Sequence, residues 1–192
     1  AIVVDVLDGL AYAHEAGLVH QDIGLHSVLL DRSGRARLAA LAVGLRAMPP
    51  GEPRRPRLDL FSLRQACERD VLMVGLLLHR LLANQPALDE PDLGNAVTRV
   101  GTEIVRLPWS TPHTVPDPLR AIANRATDRQ QRQRYLNART LLSALQGWVK
   151  THSQESGGPL QLLLDRLNTV GSLPGRPHAD QPGLGDPGAG GL

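Results

Sequence analysis

The sequence predicts an α+β fold, mostly α, in which a helical bundle carries one short β-hairpin. Three stretches point to it. Residues 2–16 set Ile2, Val3, Val6, Leu7, Leu10, Ala13 and His14 at three- and four-residue spacing, one face of an amphipathic helix. Residues 28–31 and 36–38 are short apolar runs joined by Asp31-Arg32-Ser33-Gly34, a hairpin turn signal. Residues 70–82 are apolar on nearly every face, as expected of a helix buried all round.

Taken in order, the first helix stops at Gly17, a residue suited to a helix C-terminus. Leu18-Val19 then lead into the polar, turn-forming run His20-Gln21-Asp22-Ile23-Gly24-Leu25-His26-Ser27 and the first strand. Residues 48–60 hold Pro49, Pro50, Pro53 and Pro56 and read as a loop. Ser62 is the sole hydroxyl between Ser33 and Thr98, which leaves little for a phosphorylation switch. Asp70 opens the buried helix, where a first-turn carboxylate suits the helix dipole, and Asn84-Gln85-Pro86 ends it.

The second half is helical with proline punctuation. One irregular helix is expected around residues 92–99, then a loop over 107–116 carrying Trp109. Asp117-Pro118 starts a helix with Leu119, Ile122, Ala123 and Ala126 facing inward. After a polar connection over 127–133, Arg134-Tyr135-Leu136-Asn137-Ala138 leads into a last helix bearing Leu141, Leu142, Leu145, Trp148 and Val149. Residues 1–150 therefore form one domain, 151–170 a linker with a short helix, and 171–192 a Gly/Pro-rich disordered tail.

Composition limits the function. With 42% hydrophobic and 3% aromatic residues, Leu, Ala and Val must build the core. The net charge is +2, and Arg54, Arg55 and Arg57 form the one tight basic group, so no nucleic-acid partner is expected. Cys67 is the single cysteine, which excludes an intrachain disulfide and fits a reducing, cytoplasmic setting. The longest apolar run, residues 71–78, falls short of the ~20 needed to span a bilayer. No basic leader precedes the first helix, so no secretory signal or membrane partner is expected. The chain opens on Ala1 rather than Met, and a fragment with further sequence upstream is the expectation.

The run from Leu18 to Leu30 resembles the catalytic loop of the eukaryotic-type protein kinases, His-Arg-Asp-x-Lys-x-x-x-Asn followed by an aliphatic strand. The helix before it, the buried helix with its Asp70-Val71 start and Gly75, and the Arg-Tyr-x-x-Ala-x-x-Leu ending from Arg134 to Leu141 follow in the family's order. The resemblance spans residues 2–150 and implies a kinase-like C-terminal lobe of bacterial serine/threonine type, with the upper lobe absent. It implies that Asp22 is the catalytic-loop carboxylate and His20 a buried anchor. It also implies that Asp70 accepts backbone hydrogen bonds from the His20-Gln21 loop, beside the plainer reading of a helix-start carboxylate. Arg134 is a further anchor, although its family partner, the Glu of Ala-Pro-Glu, has no counterpart here.

Three positions depart from the pattern. Gly24 stands at the loop Lys, Ser27 at the Asn, and Ala40 at the metal-holding Asp of Asp-Phe-Gly. The expectation is a pseudokinase that binds a protein partner and carries no cofactor in this chain. The alternative is a divergent serine/threonine kinase using Asp22, with ATP and magnesium and with Asp31 or Asp59 as a substitute metal ligand. Residues 159–167 with Ser172-Leu173-Pro174 faintly resemble the start of an HDOD output domain. His14, His20 and His26 recur every six residues, a poor spacing for one helix face, so no zinc site is expected. Asp22, His26 and Ser27 lack the nucleophile elbow of a hydrolase.

Overall fold

Helix α1, Ile2–Glu15, turns Val3, Val6, Leu7, Leu10, Ala11 and Ala13 into the core. It ends in a Schellman turn. Gly17 takes φ 73, its amide donates to His14 O at 3.0 Å, and the Leu18 amide reaches back to Ala13 O at 2.9 Å. A left-handed residue is needed there, and glycine adopts it without a Cβ penalty. The computed structural model describes residues 1–39 and 59–155, with side chains through His152. The chain divides into two units, Ala1–His152 and Ser153–Leu192, and the core and site lie in the first. Residues 40–58 and 156–192 lie outside the described residues; they include most of the predicted proline-rich loop, Ala40-Leu41-Ala42, the short helix of the linker and the tail.

Strands β1, Val28–Leu30, and β2, Ala36–Leu38, pair antiparallel with Val28 opposite Leu38 and Leu30 opposite Ala36. Asp31 builds the turn between them. Its Oδ1 accepts from the Ser33 amide, the Ser33 hydroxyl and the Arg35 amide at 2.9, 2.5 and 3.1 Å. The hairpin rests on α1, where Asp5 Oδ2 accepts from the Ala36 amide at 3.0 Å. Leu29 and Leu30 both remain exposed.

Helix α2, Leu60–Ala83, is the axis of the bundle and starts ten residues earlier than the apolar run implied. Asp59 caps it, accepting from the Ser62 amide at 2.8 Å and the Ser62 hydroxyl at 3.1 Å. Asp70 therefore lies deep inside the helix. The reading of Asp70 as a first-turn carboxylate facing the helix dipole is corrected, because that effect fades within the first turn. From Asp70 to His79 every residue is buried, and α2 ends where Asn84 turns left-handed at φ 55.

Around α2 pack α1, α3 (Leu93–Val100) and α4 (Asp117–Ala126). Helix α5, Ala138–Glu155, adds Leu141, Leu142 and Leu145 to the core. Residues 151–155, expected to open a linker, instead continue α5. The inward stripe of α4 holds a charge that apolar spacing does not reveal. Arg120 is buried, its Nη1 donates to Leu107 O and Pro108 O at 2.8 and 2.7 Å, and its guanidinium lies over the Trp109 ring. Ile122 is only half-buried. No helix among the described residues is long and apolar enough to cross a membrane.

His79 of α2 is buried against Arg106 O, 3.3 Å from its Nε2, and burial pushes its pKa below the ordinary histidine value. The folded state thus resists protonation that the unfolded chain accepts. Stability should be flat above the unfolded value of about 6.5 and fall as pH drops below it. Urea midpoints from pH 5 to 8 test this: His79→Gln should flatten the slope relative to wild type over that acidic stretch.

Candidate functional site

The turn that ends α1 aims residues 18–22 across α2, and Asp70 receives them. The carboxylate is fully buried and accepts from the His20 amide through Oδ2 and the Gln21 amide through Oδ1, both at 2.7 Å. His14 of α1 contributes a third contact, with Nε2 3.0 Å from Oδ2. A carboxylate only accepts, so that ring nitrogen carries the proton. Gln21 takes φ 67, a left-handed geometry unfavourable for a residue with a Cβ, and the two short amide bonds hold it there. A buried carboxylate of this kind persists because charge-assisted hydrogen bonds replace its lost water.

His20 is buried and joins the loop to the end of the hairpin. Its Nδ1 accepts from the Asp22 amide at 3.3 Å, and its Nε2–H donates to Ala39 O at 2.8 Å. Ala39 in turn donates to Ser27 O at 2.8 Å, so the chain is held on both sides immediately before Ala40. Ala40 itself lies outside the described residues.

Ser27 is 1% exposed. Its hydroxyl donates to Gly24 O and accepts from the Gly24 amide, both at 3.0 Å, closing a single 3-10 turn over Leu25–Ser27. A hydroxyl has one proton to donate, and this one is used inside the loop. At Gly24 a Cβ would fall 2.7 Å from the His26 ring, so the imidazole occupies the space a side chain would enter. His26 Nε2 stands 3.4 Å from Asp22 Oδ2, with both side chains largely in solvent (64% and 78% exposed). An exposed pair at that distance contributes little to stability.

The remaining sequence candidates sit elsewhere. Asp31 is engaged in its hairpin turn, where Ser33's hydroxyl and then the Arg35 amide hold its carboxyl below the usual range. Asp59 is engaged as the α2 cap, held low first by the Ser62 amide. Arg134 makes its hydrogen bonds to Asp128 O at 2.5 Å and Arg129 O at 3.2 Å, stapling the α4–α5 connection rather than the His20 loop. The three histidines go to three different partners: His14 to Asp70, His20 to Ala39 O and His26 to Asp22. Among the described residues no three His, Cys, Asp or Glu side chains converge as metal ligands. His14 is the member that sequence reasoning missed, having been placed only as a packing residue. Its position in the last turn of α1, six residues before His20, was the available signal.

This architecture, a helical bundle whose central helix holds a His-x-Asp loop by a buried carboxylate, can be set beside known proteins. No family model matches the sequence. Sperm motility kinase Z of Mus musculus is 25% identical over 169 residues, 82% of this chain and 33% of that protein. The dual serine/threonine and tyrosine protein kinase of Gallus gallus is 32% identical over 94 residues, 46% of this chain and 10% of its own. The Mus musculus protein of that name is 32% identical over 120 residues, 56% of this chain and 13% of its own. The chain spans a third or less of the length of these relatives. These distant, partial matches support a kinase-like relationship.

Proposed function

We propose that this chain is the lower lobe of a protein-kinase-like domain that has lost phosphoryl transfer, and that it serves as a regulatory or scaffolding module for a protein partner in a bacterial cytoplasmic signalling protein. The observation that carries this reading is Ser27, buried with its hydroxyl committed to both backbone groups of Gly24. Phosphoryl transfer rests on positioning and on neutralising charge with metal and cations. The residues here do not fit a nucleotide-bound metal. Gly24 brings no cation, Ser27 is turned inward, and Asp31 and Asp59 are each engaged in their own turn or cap. Losing one such stabiliser costs about 2.7–4 kcal/mol of barrier, and the losses here are several.

A second reading has one observation in its favour. Asp22 is exposed at the loop surface, and a divergent serine/threonine kinase would use it to orient a substrate hydroxyl with ATP and magnesium. Transfer of labelled phosphate from ATP, with magnesium or manganese and the full-length protein bearing this chain, separates the two. The expected result is no transfer above the Asp22→Asn background. Transfer that Asp22→Asn abolishes would sink the pseudokinase reading.

A further inference from the structure

On the side of α2 facing α3 and the α4–α5 connection lies an open cavity of about 330 Å³. Three arginines line it, Arg69, Arg129 and Arg134, against one acidic residue, Glu68. That carboxylate is already engaged: Arg64 Nε donates to its Oε1 at 3.0 Å, and the Gln131 side-chain Nε2 donates to Oε2. The ion pairs found among the described residues include none of the three arginines. Arg134 is half-buried, and its hydrogen bonds go to carbonyls, which orient the guanidinium but cancel no charge. Burial pushes its pKa down even with Asp128 and Glu68 in its neighbourhood. A cation drawn partly out of water, beside two more in one concavity, is stabilised by an anion that meets all three.

We propose that this cavity binds an oxyanion, either a phosphate group or the side-chain carboxylate of an acidic peptide. Guanidinium groups match both through paired N–H donors. Thr98 and Gln131 also line it, their polar groups turned to Asn95 O and Glu68. The site is separate from the His20 loop and holds whether or not the chain transfers phosphate.

The test uses the whole 192-residue chain. Thermal unfolding is followed against inorganic phosphate and, separately, a tetraglutamate peptide, each with sodium chloride at matched ionic strength as the baseline. The expected result is saturable stabilisation by at least one probe and none by chloride. The probe that saturates at the lower concentration identifies the source of the oxyanion. Arg69→Gln and Arg129→Gln remove side chains with no hydrogen bond among the described residues, and each should weaken binding at least about tenfold. Should a variant fail to fold, shifts of the Arg69 and Arg129 Nε–H signals on titrating the wild-type chain serve instead. Absence of saturable binding by either probe, or binding that leaves those variants and signals unchanged, would overturn the proposal.

Discussion

Asp70→Ala should lower the stability of the fold by about 3–5 kcal/mol, read as a drop in the urea midpoint. The carboxylate is fully buried and gathers three donors, the His20 and Gln21 amides at 2.7 Å and His14 Nε2 at 3.0 Å. A buried donor left without an acceptor costs about 1–3 kcal/mol, which applies in full to the His20 amide and in part to the partly buried Gln21 amide and His14 ring. Asp70→Asn should fall between wild type and alanine, since the amide keeps one acceptor but turns an NH₂ group toward another donor. A double-mutant cycle with His14→Ala isolates the ring's share. The two losses should be less than additive, because His14 and Asp70 are in contact. A loss below about 1 kcal/mol for Asp70→Ala would mean that water replaces the carboxylate and that the loop is not held from α2.

The same residue shows where sequence reading stops. Hydrophobic spacing alone starts the central helix at Asp70, because residues 62–69 are mostly polar and the apolar stripe blurs ahead of the buried run. The cap Asp59-x-x-Ser62 marks the true start and is visible in the sequence, but Asp59 falls at the end of the proline-rich run 48–60 that reads as a loop. Periodicity succeeded where burial is one-sided, as on α1 and α5. It gave no hint of Arg120, whose burial depends on two carbonyls in the 107–116 loop and a Trp109 face that only tertiary structure brings together. Within the candidate site, the resemblance to the kinase catalytic loop and central helix marks His20, Asp22, Gly24, Ser27 and Asp70, but the direction in which each side chain points is not legible in the sequence. Ser27's inward hydroxyl and His26's ring over Gly24 follow from the local path of a single turn. His14 became visible as a partner only when α1 and α2 were placed side by side.

The packing of α2 against α4 depends on Gly75, and Gly75→Ala should destabilise the chain by about 2 kcal/mol, with Gly75→Val worse. On an exposed helix the change to alanine would stabilise by about 1 kcal/mol through propensity. Here a Cβ would stand 2.9 Å from Ala126 Cβ, 3.0 Å from Ala126 O and 3.1 Å from its carbonyl carbon. Two of those three atoms belong to the backbone of α4, which cannot rotate out of the way, so α2 and α4 must separate. Overpacking of this kind costs about 1–3 kcal/mol and here falls on both sides of a helix crossing. Adding Ala126→Gly removes one of the three contacts and should restore only part of the loss, since the carbonyl clash remains. The displacement should also reach the candidate site. Asp70 lies on the same helix, in the same buried stretch as Gly75, and its bonds to the His20 and Gln21 amides are short. Gly75→Ala should therefore speed hydrogen exchange at those two amides more than global destabilisation accounts for. Equal acceleration across all core amides would instead show that α2 yields as one rigid body with the loop still attached.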